Sequence, residues 1–456
     1  MKPSIILATA LLLSACALPA KEASLLSVGV ARIDVTPEYP VRLSGFGSRK
    51  TNSEGVAQKI FAKALAFGTD REGASVLFTV DNCGVSGVIT DAVAARLQKR
   101  AGITREHVAL CSSHTHSAPM LTGVLPFLFA TNIPPEQQTT IDRYTGELID
   151  KLERVALDAL ANRAPAKLSW TEGTVTFAKN RRVVRNGKTQ FGENEAGPVD
   201  HALACLIVRD ANDKLRAVLA NYACHCTTLS DNVVHGDWAG CAQAAIEREN
   251  AGAVALISIG CGADANPSPR GKVEHAEAHG QEIAAEVRRL LTLPSKPLTK
   301  IPEGKLQRIE LDFDPLPTRA QWEERATKPG IVGFHAQKNL ARHDRGETLP
   351  VKLPYVVATW TFGDELAMVF LAGEVVVDYE RRLKREFDST RLWVNGYAND
   401  VPCYIPSQRI LAEGGYEAED SLWYYDRPAR LAMSSEDRII KAVHDLLPEK
   451  FVAKNR

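Results

Sequence analysis

Short aliphatic and β-branched runs alternate along the chain with longer segments in which apolar residues recur at helical spacing. The short runs have the length and composition of sheet strands and lie at 28–35, 64–67, 75–80, 108–111, 217–223, 254–259, 355–362 and 368–371. The helical segments lie at 89–100, 141–161, 240–250, 275–291 and 436–447. Strands followed by amphipathic helices predict an α/β fold in which helices flank a mixed sheet in layers.

Two regions interrupt this alternation. Residues 127–140 include Pro134 and Pro135 and are expected to form a loop or an insertion. Residues 315–350 are rich in charge, and the pattern favours exposed surface over a lid. No long Pro/Gly/Ser-rich linker divides the chain, so residues 16–456 are predicted to form one domain.

The composition argues against a nucleic-acid partner. The chain has 456 residues, of which 45% are hydrophobic and 24% are charged, as is ordinary for a globular protein. Its 55 basic and 55 acidic residues cancel, whereas a surface that binds nucleic acid needs an excess of positive charge.

The N-terminal segment has the features of an export signal. Lys2 precedes an apolar run at 5–13 that is too short to span a bilayer as a helix. The stretch LSAC at 13–16 resembles the bacterial lipobox, which implies cleavage before Cys16 and lipid attachment to its sulfur. Residues 1–15 are therefore expected to be a lipoprotein signal peptide, and the protein is expected to be anchored to a membrane of the bacterial cell envelope, on the periplasmic or outer-membrane side. A plain secretory peptide with a coincidental cysteine is the alternative.

Eight further cysteines leave the disulfide question open. An even number in an exported protein permits disulfides. Buried free thiols fit the pattern equally well, and no CxxC pair is present.

Two histidines, His114 and His116, follow a predicted strand in the stretch CSSHTHSAP at 111–119. Open α/β sheets place their ligand sites beyond the carboxyl ends of strands. In an extended segment, residues two apart point to the same side, so both imidazoles would face one cavity. The spacing predicts a metal or catalytic centre, with a satisfied pair in a turn as the alternative.

Three more predicted strands end in a side chain that can bind a metal or transfer a proton, namely His225, Asp264 and Glu374. A tight turn at Asp264 and a favourable helix-dipole contact at Glu374 are the structural alternatives. Two or more histidines with one carboxylate form the ligand set of catalytic zinc, which keeps one position open. The four strand ends together favour a metal-dependent hydrolase, in which Asp264 would act as an acid, a base or a support for the ligands.

The stretch after His225 adds two weaker candidates. Asp237 suits either an acid/base role or the N-cap of the following helix. His235 is expected to be a surface histidine. A serine hydrolase is not expected, because no GxSxG motif lies at a strand end.

These segments resemble the N-terminal catalytic domain of the neutral/alkaline non-lysosomal ceramidase family. The resemblance runs from ARIDVTP at 31–37 to the tyrosine-rich loop at 395–417. Its most specific motifs are SHTHSAP at 113–119, ACH at 223–225, GDWAG at 236–240 and AGE at 372–374. It implies a zinc amidase that cleaves ceramide into sphingosine and a fatty acid.

The resemblance also implies a role for each matching residue. The zinc ligands would be His114, His225 and Glu374. His116 would lie beside the metal, in contact with the substrate or the reacting oxygen. The positions that match substrate contacts are Arg181, Tyr404 and Tyr416.

Three departures from the family pattern bear on the substrate. The family's tyrosine zinc ligand matches Val401, so the fourth ligand would be lost, replaced by water or supplied by a neighbour such as Asp400. The family's serine-bearing turn is replaced by GADANP at 262–267, where Asp264 would take over some of the polar work. The sequence also ends soon after the catalytic region, without the family's C-terminal immunoglobulin-like domain.

The sequence therefore predicts a zinc-dependent hydrolase that cleaves the amide of an N-acyl sphingoid base or a related lipid with a metal-activated water. One alternative is the same scaffold acting on a more polar amide or ester. The other is a metal- or lipid-binding surface lipoprotein without turnover. The expected partners are a small-molecule substrate and the membrane.

Overall fold

The computed structural model describes residues 24–454, which fold into strands and helices in close alternation. The strands are β1 (Leu26–Asp34), β2 (Phe61–Thr69), β3 (Gly73–Val80), β4 (Val108–Ser112), β5 (Ala164–Thr174), β6 (Ala178–Arg185), β7 (Lys188–Asn194), β8 (Ala202–Asp210), β9 (Leu215–Tyr222), β10 (Val254–Ile259), β11 (Ala265–Pro267), β12 (Lys296–Leu298), β13 (Pro302–Asp312), β14 (Lys352–Phe362), β15 (Leu366–Leu371), β16 (Glu374–Val375), β17 (Leu392–Asn395) and β18 (Tyr404–Ile405).

The helices range from short turns to a long one that crosses the molecule. The α-helices are α1 (Gly87–Ala101), α2 (Pro135–Ala161), α3 (Asp237–Glu249), α4 (Val273–Leu291), α5 (Arg319–Ala326), α6 (Gly330–Asp344), α7 (Val377–Glu386), α8 (Gln408–Glu413) and α9 (Ser435–Leu446). The short 3₁₀ helices are Arg105–His107, Ser389–Arg391, Asp420–Trp423 and Glu449–Phe451.

Two mixed sheets form the centre of the molecule. The first has the strand order β10-β9-β8-β5-β1-β2-β3-β4, with β12 paired to β5. Its pairs β10/β9 and β3/β4 are parallel, and the other pairs are antiparallel. The second sheet has the order β13-β14-β15-β17, in which β15 and β17 are parallel. Two smaller sheets, β11-β6-β7 and β16-β18, lie outside these layers.

The two large sheets share an aromatic core, and helices cover their outer faces. Trp360 and Phe362 of β14 point towards the first sheet, where Phe67 packs edge-on against both rings at 6.3 and 5.7 Å. Tyr355 and Val357, on the opposite face of β14, join the core on the α9 side. This alternation follows from the two-residue period of a strand. Helices α2, α3 and α4 pack on the other face of the first sheet, which gives a layered α/β fold.

The structure confirms the predicted fold class and adds the second sheet to it. Every strand and helix predicted from the sequence is present, with bounds shifted by a few residues. The prediction of a loop at 127–140 is partly wrong, because α2 already begins at Pro135. Proline is tolerated in the first turn of a helix, where its missing N–H would have no partner within the helix. Residues 315–350 contain α5 and α6, which pack together through Trp322 and His335.

The structure also settles the state of the cysteines that it describes. All eight are free thiols, and all but Cys241 are buried, which agrees with the thiol alternative. Within residues 24–454, no helix combines the length and the apolarity needed to cross a bilayer. The predicted signal peptide and Cys16 lie outside the described residues.

A short segment after β17, residues 396–399, connects the two edges of the first sheet. The Gly396 N–H donates to the carbonyl of Ile259 at the end of β10, at 2.9 Å. The Asn399 N–H donates to the carbonyl of Leu110 in β4, at 2.7 Å. The ends of β4, β9, β10 and β15 therefore meet in one region of the molecule.

The long helix α2 lies in direct contact with β1, and Gly29 makes this possible. A Cβ atom at Gly29 would lie 1.9 Å from the carbonyl oxygen of Ala159 in α2. We expect Gly29→Ala to lower the free energy of unfolding by about 1–3 kcal/mol, because the helix would have to move off the sheet. Urea denaturation measures this change.

Gly146→Ala provides the matched control. Gly146 lies on the exposed side of the same helix, and a Cβ there would contact nothing within 4 Å. The control should stabilise the protein by up to about 1 kcal/mol, because alanine favours the helix more than glycine does. Equal effects of the two substitutions would contradict the close contact between α2 and β1.

A buried cluster of charged groups lies behind α7. The Lys384 ammonium contacts the Asp200 carboxylate at 2.6 Å and the Glu380 carboxylate at 3.1 Å. Burial and then the Asp200 carboxylate raise the pKa of Glu380 from 4.5 to about 7. The folded protein therefore keeps a proton on Glu380 between pH 4.5 and 7, whereas the unfolded chain releases it.

We expect this cluster to make stability depend on pH. As the pH rises from 4.5 to 7, the unfolded state of the wild type gains by ionising Glu380, so its free energy of unfolding falls. Glu380→Gln cannot ionise, so its stability relative to the wild type should increase over this range and stay constant above it. Urea denaturation at several pH values tests this, and parallel profiles of the two proteins would contradict it.

Candidate functional site

A cavity of about 640 Å³ opens where the ends of the central strands meet. Six residues that the sequence singles out line it, namely His116, His225, Glu374, Arg181, Tyr404 and Tyr416. Most of the remaining lining falls into two groups by chemistry. The apolar and aromatic group comprises Phe46, Leu125, Leu128, Phe191, Tyr424 and Tyr425. The polar and charged group comprises Lys179, Asn180, Glu193, Thr227, Asn266, Ser268 and Arg270.

Three distant parts of the chain place two imidazoles around one carboxylate. The Oε2 atom of Glu374 lies 3.2 Å from Nε2 of His114 and 3.1 Å from Nε2 of His225. His114 follows β4, His225 follows β9, and Glu374 begins β16 directly after β15. The predicted meeting of these strand ends is therefore present in the structure.

This group of side chains could hold a metal ion. Its ligand atoms lie within 4.8 Å of one another, and the three side chains are almost completely buried. The Nδ1 atoms of His114 and His225 contact the carbonyls of Cys83 and Gly262 at 2.5 and 2.9 Å, which leaves both Nε2 atoms for an ion. Two ligands of a tetrahedral zinc ion lie about 3.4 Å apart, close to the observed Nε2–Oε2 distances. The residues fit zinc.

The pKa shifts of the three side chains show that the buried carboxylate needs a positively charged partner. Burial works against the ionised form of Glu374, but the two imidazoles hold its pKa well below the usual value. Burial would lower the pKa of His114, yet the Glu374 carboxylate raises it to about 10. Burial and the Arg181 cation lower the pKa of His225 to about 4. The buried carboxylate thus needs one positive partner, which is either a proton on His114 or a cation.

His116 lies beside this group and also faces the cavity. Its Nε2 atom is 3.0 Å from Nε2 of His114, and its buried Nδ1 atom has no hydrogen-bond partner in the part of the chain that the structure describes. Gly45 has a φ of 90° and packs so tightly on the imidazole that a Cβ there would lie 2.3 Å from its ring. The thiol of Cys83 forms a second possible ligand group with His114 and His116.

The two histidines meet in a different way from the predicted one, because His116 lines the cavity whereas His114 is fully buried behind it. The segment is not extended, because His114 has a φ of 58°, in the left-handed region. The chain turns at this residue directly after β4. The turn brings the two rings to a centroid distance of 4.7 Å in an edge-on arrangement.

A hydrogen-bonded network holds Arg181 and Tyr404 against the site. Arg181 donates from Nε to Glu417 at 2.8 Å and from Nη2 to the Tyr404 hydroxyl at 3.1 Å. The same hydroxyl lies 3.1 Å from Nε2 of His225. Glu374 and Tyr404 are direct neighbours in the β16/β18 pair, so the backbone places this hydroxyl beside the ligand group.

The sequence profile of the neutral/alkaline non-lysosomal ceramidase family, N-terminal, matches residues 26–279, more than half of the chain. The chain belongs to this ceramidase family. Among curated proteins, none matches the chain by sequence.

Two solved ceramidase structures share the fold. A ceramidase complexed with C2 superposes with a TM-score of 0.70 at 16% sequence identity, covering 95% of this chain and 77% of that one. The neutral ceramidase from Pseudomonas aeruginosa gives a TM-score of 0.68 at 18% identity, with the same coverage of 95% and 77%. Family and fold together make this chain a ceramidase-like hydrolase.

The position matched to the family's tyrosine ligand lies away from the ligand group. Val401 packs against Gly84, and the Asp400 carboxylate accepts a hydrogen bond from the Gly87 N–H at 2.7 Å. Asp400 is therefore not a ligand in this arrangement. The tyrosine hydroxyl that lies at the site belongs to Tyr404, three residues further along.

Asp264 and Asp237, predicted as acid/base groups, serve the backbone instead. The Asp264 carboxylate accepts from the Val377 N–H at 2.8 Å and from the Asn180 amide at 3.2 Å, and it does not line the cavity. Burial raises the pKa of Asp264 to about 7. Asp237 is the first residue of α3, and its buried carboxylate accepts from the Leu229 N–H at 2.8 Å. Neither carboxylate lines the cavity, and both hold the loops behind the site, which agrees with the supporting role that was the alternative to acid/base chemistry.

His235 also departs from its prediction as a surface residue. It is 5% exposed, and its Nδ1 atom accepts a hydrogen bond from the Asp237 N–H at 2.8 Å. Burial lowers its pKa to about 4, so the ring stays neutral. Its role is to hold the start of α3.

The structure brings in two residues that the sequence pattern missed. The Tyr425 hydroxyl donates a short hydrogen bond to Oε1 of Glu374. Glu417 pairs with Arg181 and with Arg182. Neither residue directly follows a predicted strand, so the sequence pattern did not mark them. In the GADANP turn, Asn266 accepts from Nη1 of Arg181 at 3.3 Å and lines the cavity.

Proposed function

We propose that this member of the ceramidase family is a zinc-dependent hydrolase that cleaves the amide bond of an N-acyl sphingoid base or a related lipid. The observation that supports this most strongly is the buried group of two imidazoles and one carboxylate in the wall of a cavity. Hydrolysis adds water across the C–N bond, so the carbonyl carbon gains a hydroxyl, the nitrogen gains a proton, and a fatty acid and an amine leave.

The residues that would hold zinc are His114, His225 and Glu374, with the Tyr404 hydroxyl beside them. When bound, a zinc ion in such a site lowers the pKa of a water towards about 7 and polarises a carbonyl. Burial raises the pKa of Tyr404 well above its usual value, although Arg181 opposes this shift. Tyr404 therefore enters the reaction as a protonated hydroxyl that can donate a hydrogen bond.

His116 would orient the attacking water or stabilise the developing oxyanion. Burial and the neighbouring His114 keep the pKa of His116 well below its usual value, so the imidazole is neutral. Its Nδ1 atom has no partner within the described residues. Gly45 and the T-shaped contact with Phe46 hold the ring in place.

Arg181 positions Tyr404 and the polar part of the substrate. Its guanidinium is buried, and Glu417 balances its charge. The apolar lining residues, such as Leu125, Leu128 and Phe46, suit an acyl chain, which gains about 0.8 kcal/mol for each buried methylene. A lipid anchor at Cys16, suggested by the LSAC motif, would hold the enzyme at the membrane that contains such substrates.

His225→Ala tests the metal site. We expect the purified variant to lose its zinc, from about one ion per chain to near zero, because one of three protein ligands is removed. Amide hydrolysis should fall to background in the same preparation. Elemental analysis and a fluorescent ceramide assay measure the two effects.

His343→Gln is the matched control, because His343 lies exposed on α6, outside the cavity lining. This control should keep both zinc and activity. Unchanged zinc content in His225→Ala would defeat the assignment of the ligands. A comparison of N-acyl sphingoid bases with short amides and esters would show whether a lipid amide is the preferred substrate.

Tyr425→Phe tests the hydrogen bond to Glu374. Loss of the hydroxyl frees Oε1 of the carboxylate, and removal of a group that orients a ligand weakens metal affinity by roughly 10- to 100-fold. Competition with a zinc chelator measures this affinity. Tyr424→Phe is the control, since the Tyr424 hydroxyl also lies at the cavity but not on Glu374. Equal zinc affinities of the two variants would rule out the orienting role.

A further inference from the structure

One cationic side chain in the cavity lining has no partner among the residues that the structure describes. Arg270 lies in the loop between β11 and α4, and its side chain lines the same cavity as His116 and Glu374. The residue is exposed, and its guanidinium forms no hydrogen bond or ion pair with residues 24–454. Arginine presents five N–H donors in a planar fork, so the donors that face solvent can bind an anion.

The other two cationic side chains of the lining each pair with a carboxylate. Arg181 is paired with Glu417 at 2.8 Å, and Lys179 is paired with Glu195 at 2.8 Å. Glu193, a carboxylate of the lining, accepts a hydrogen bond from the Ser268 hydroxyl at 2.8 Å and forms no ion pair with Arg270. The charge of Arg270 is therefore available to a ligand.

The backbone on both sides of Arg270 is held firmly. The Gly271 N–H donates to the carbonyl of Thr228 at 2.7 Å, and the Ser268 N–H donates to the carbonyl of Phe177 at 2.9 Å. Thr228 lies three residues after His225, so the loop that carries Arg270 is tied to the segment that carries a proposed ligand. The backbone that carries Arg270 is thus fixed beside the cavity.

Its surroundings favour an anionic ligand. Partial burial and the nearby Arg181 cation lower the pKa of Arg270, and the more distant Asp237 and Cys224 offset this shift only in part. A charge-assisted, bidentate contact with a carboxylate, sulfonate or phosphate would supply further compensation. A neutral diol or alcohol would not.

We propose that Arg270 binds an anionic group on the amine portion of the substrate, so that the preferred substrates are N-acyl amines bearing a carboxylate, sulfonate or phosphate near the amide. This inference rests on the proposed amide hydrolysis. It places the acyl chain among the apolar lining residues, the amide at the ligand group and the anionic group on Arg270. Neutral ceramide lacks such a group.

Binding of ethers that cannot be hydrolysed tests the anion site separately from catalysis. Decyloxyacetate and 2-decyloxyethanol share one chain and differ in a terminal carboxylate, which lies at the spacing found in an N-acylglycine. Titration calorimetry on the zinc-loaded, full-length protein should show that decyloxyacetate binds about tenfold more tightly or better.

Arg270→Gln should reduce this preference to near unity, and Arg270→Lys should keep part of it. Lys272→Gln, an exposed cation two residues away that does not line the cavity, is the control and should behave as the wild type. Equal binding of the two ethers by the wild type would overturn the inference. So would a preference that persists in Arg270→Gln, since the carboxylate would then be binding elsewhere.

Turnover of matched amides separates this inference from the proposed function. N-Decanoylglycine, N-decanoyltaurine and N-decanoyl phosphoethanolamine distinguish the three anions, and N-decanoylethanolamine is the neutral reference. Cleavage of all four at equal kcat/KM would support amide hydrolysis and overturn the role of Arg270. Selective ether binding without cleavage of any amide would support the anion site and defeat the proposed hydrolysis.

Discussion

A carboxylate buried between two imidazoles is the interaction on which this structure depends. Glu374 is 3% exposed and lies 3.1–3.2 Å from the Nε2 atoms of His114 and His225. A buried charge without compensation is costly, so the three segments must meet with the correct protonation or with a cation between them. The backbone of residues 396–399, which connects the edges of the first sheet, provides the fixed frame for that meeting.

Much of the fold could be predicted because buried strands and amphipathic helices have distinct periods. The predicted strands at 108–111, 217–223 and 368–371 are buried and aliphatic, and all three carry residues of the site. Strands β6 and β7 were missed because their side chains are largely polar or charged and much of β7 is exposed. Pairing between strands that lie far apart in the sequence leaves no local pattern, so the division of the strands into two sheets could not be predicted.

The candidate ligands of the site could be predicted from the sequence, whereas most of the residues that hold them in place could not. A histidine or carboxylate at a strand end is visible in the sequence, but the direction of its side chain depends on a few backbone angles. Asp264 follows a predicted strand, as the candidate ligands do, yet its carboxylate accepts a hydrogen bond from the Val377 N–H. Tyr425 reaches Glu374 from a distant loop, where no periodic pattern marks it. His114 meets His116 and Glu374 through a positive φ that no spacing rule anticipates.

The cations of the cavity show how one lining can both organise a site and select a ligand. Arg181 is balanced by Glu417, so its remaining donors are committed to Tyr404 and Asn266, and it acts as a fixed part of the framework. A paired charge of this kind changes little when a ligand arrives. Arg270, in contrast, has no hydrogen-bond or ion-pair partner among residues 24–454, so a group that the ligand brings can become its direct partner. Discrimination between an anionic and a neutral substrate therefore depends on the unpaired cation and not on the total charge of the cavity.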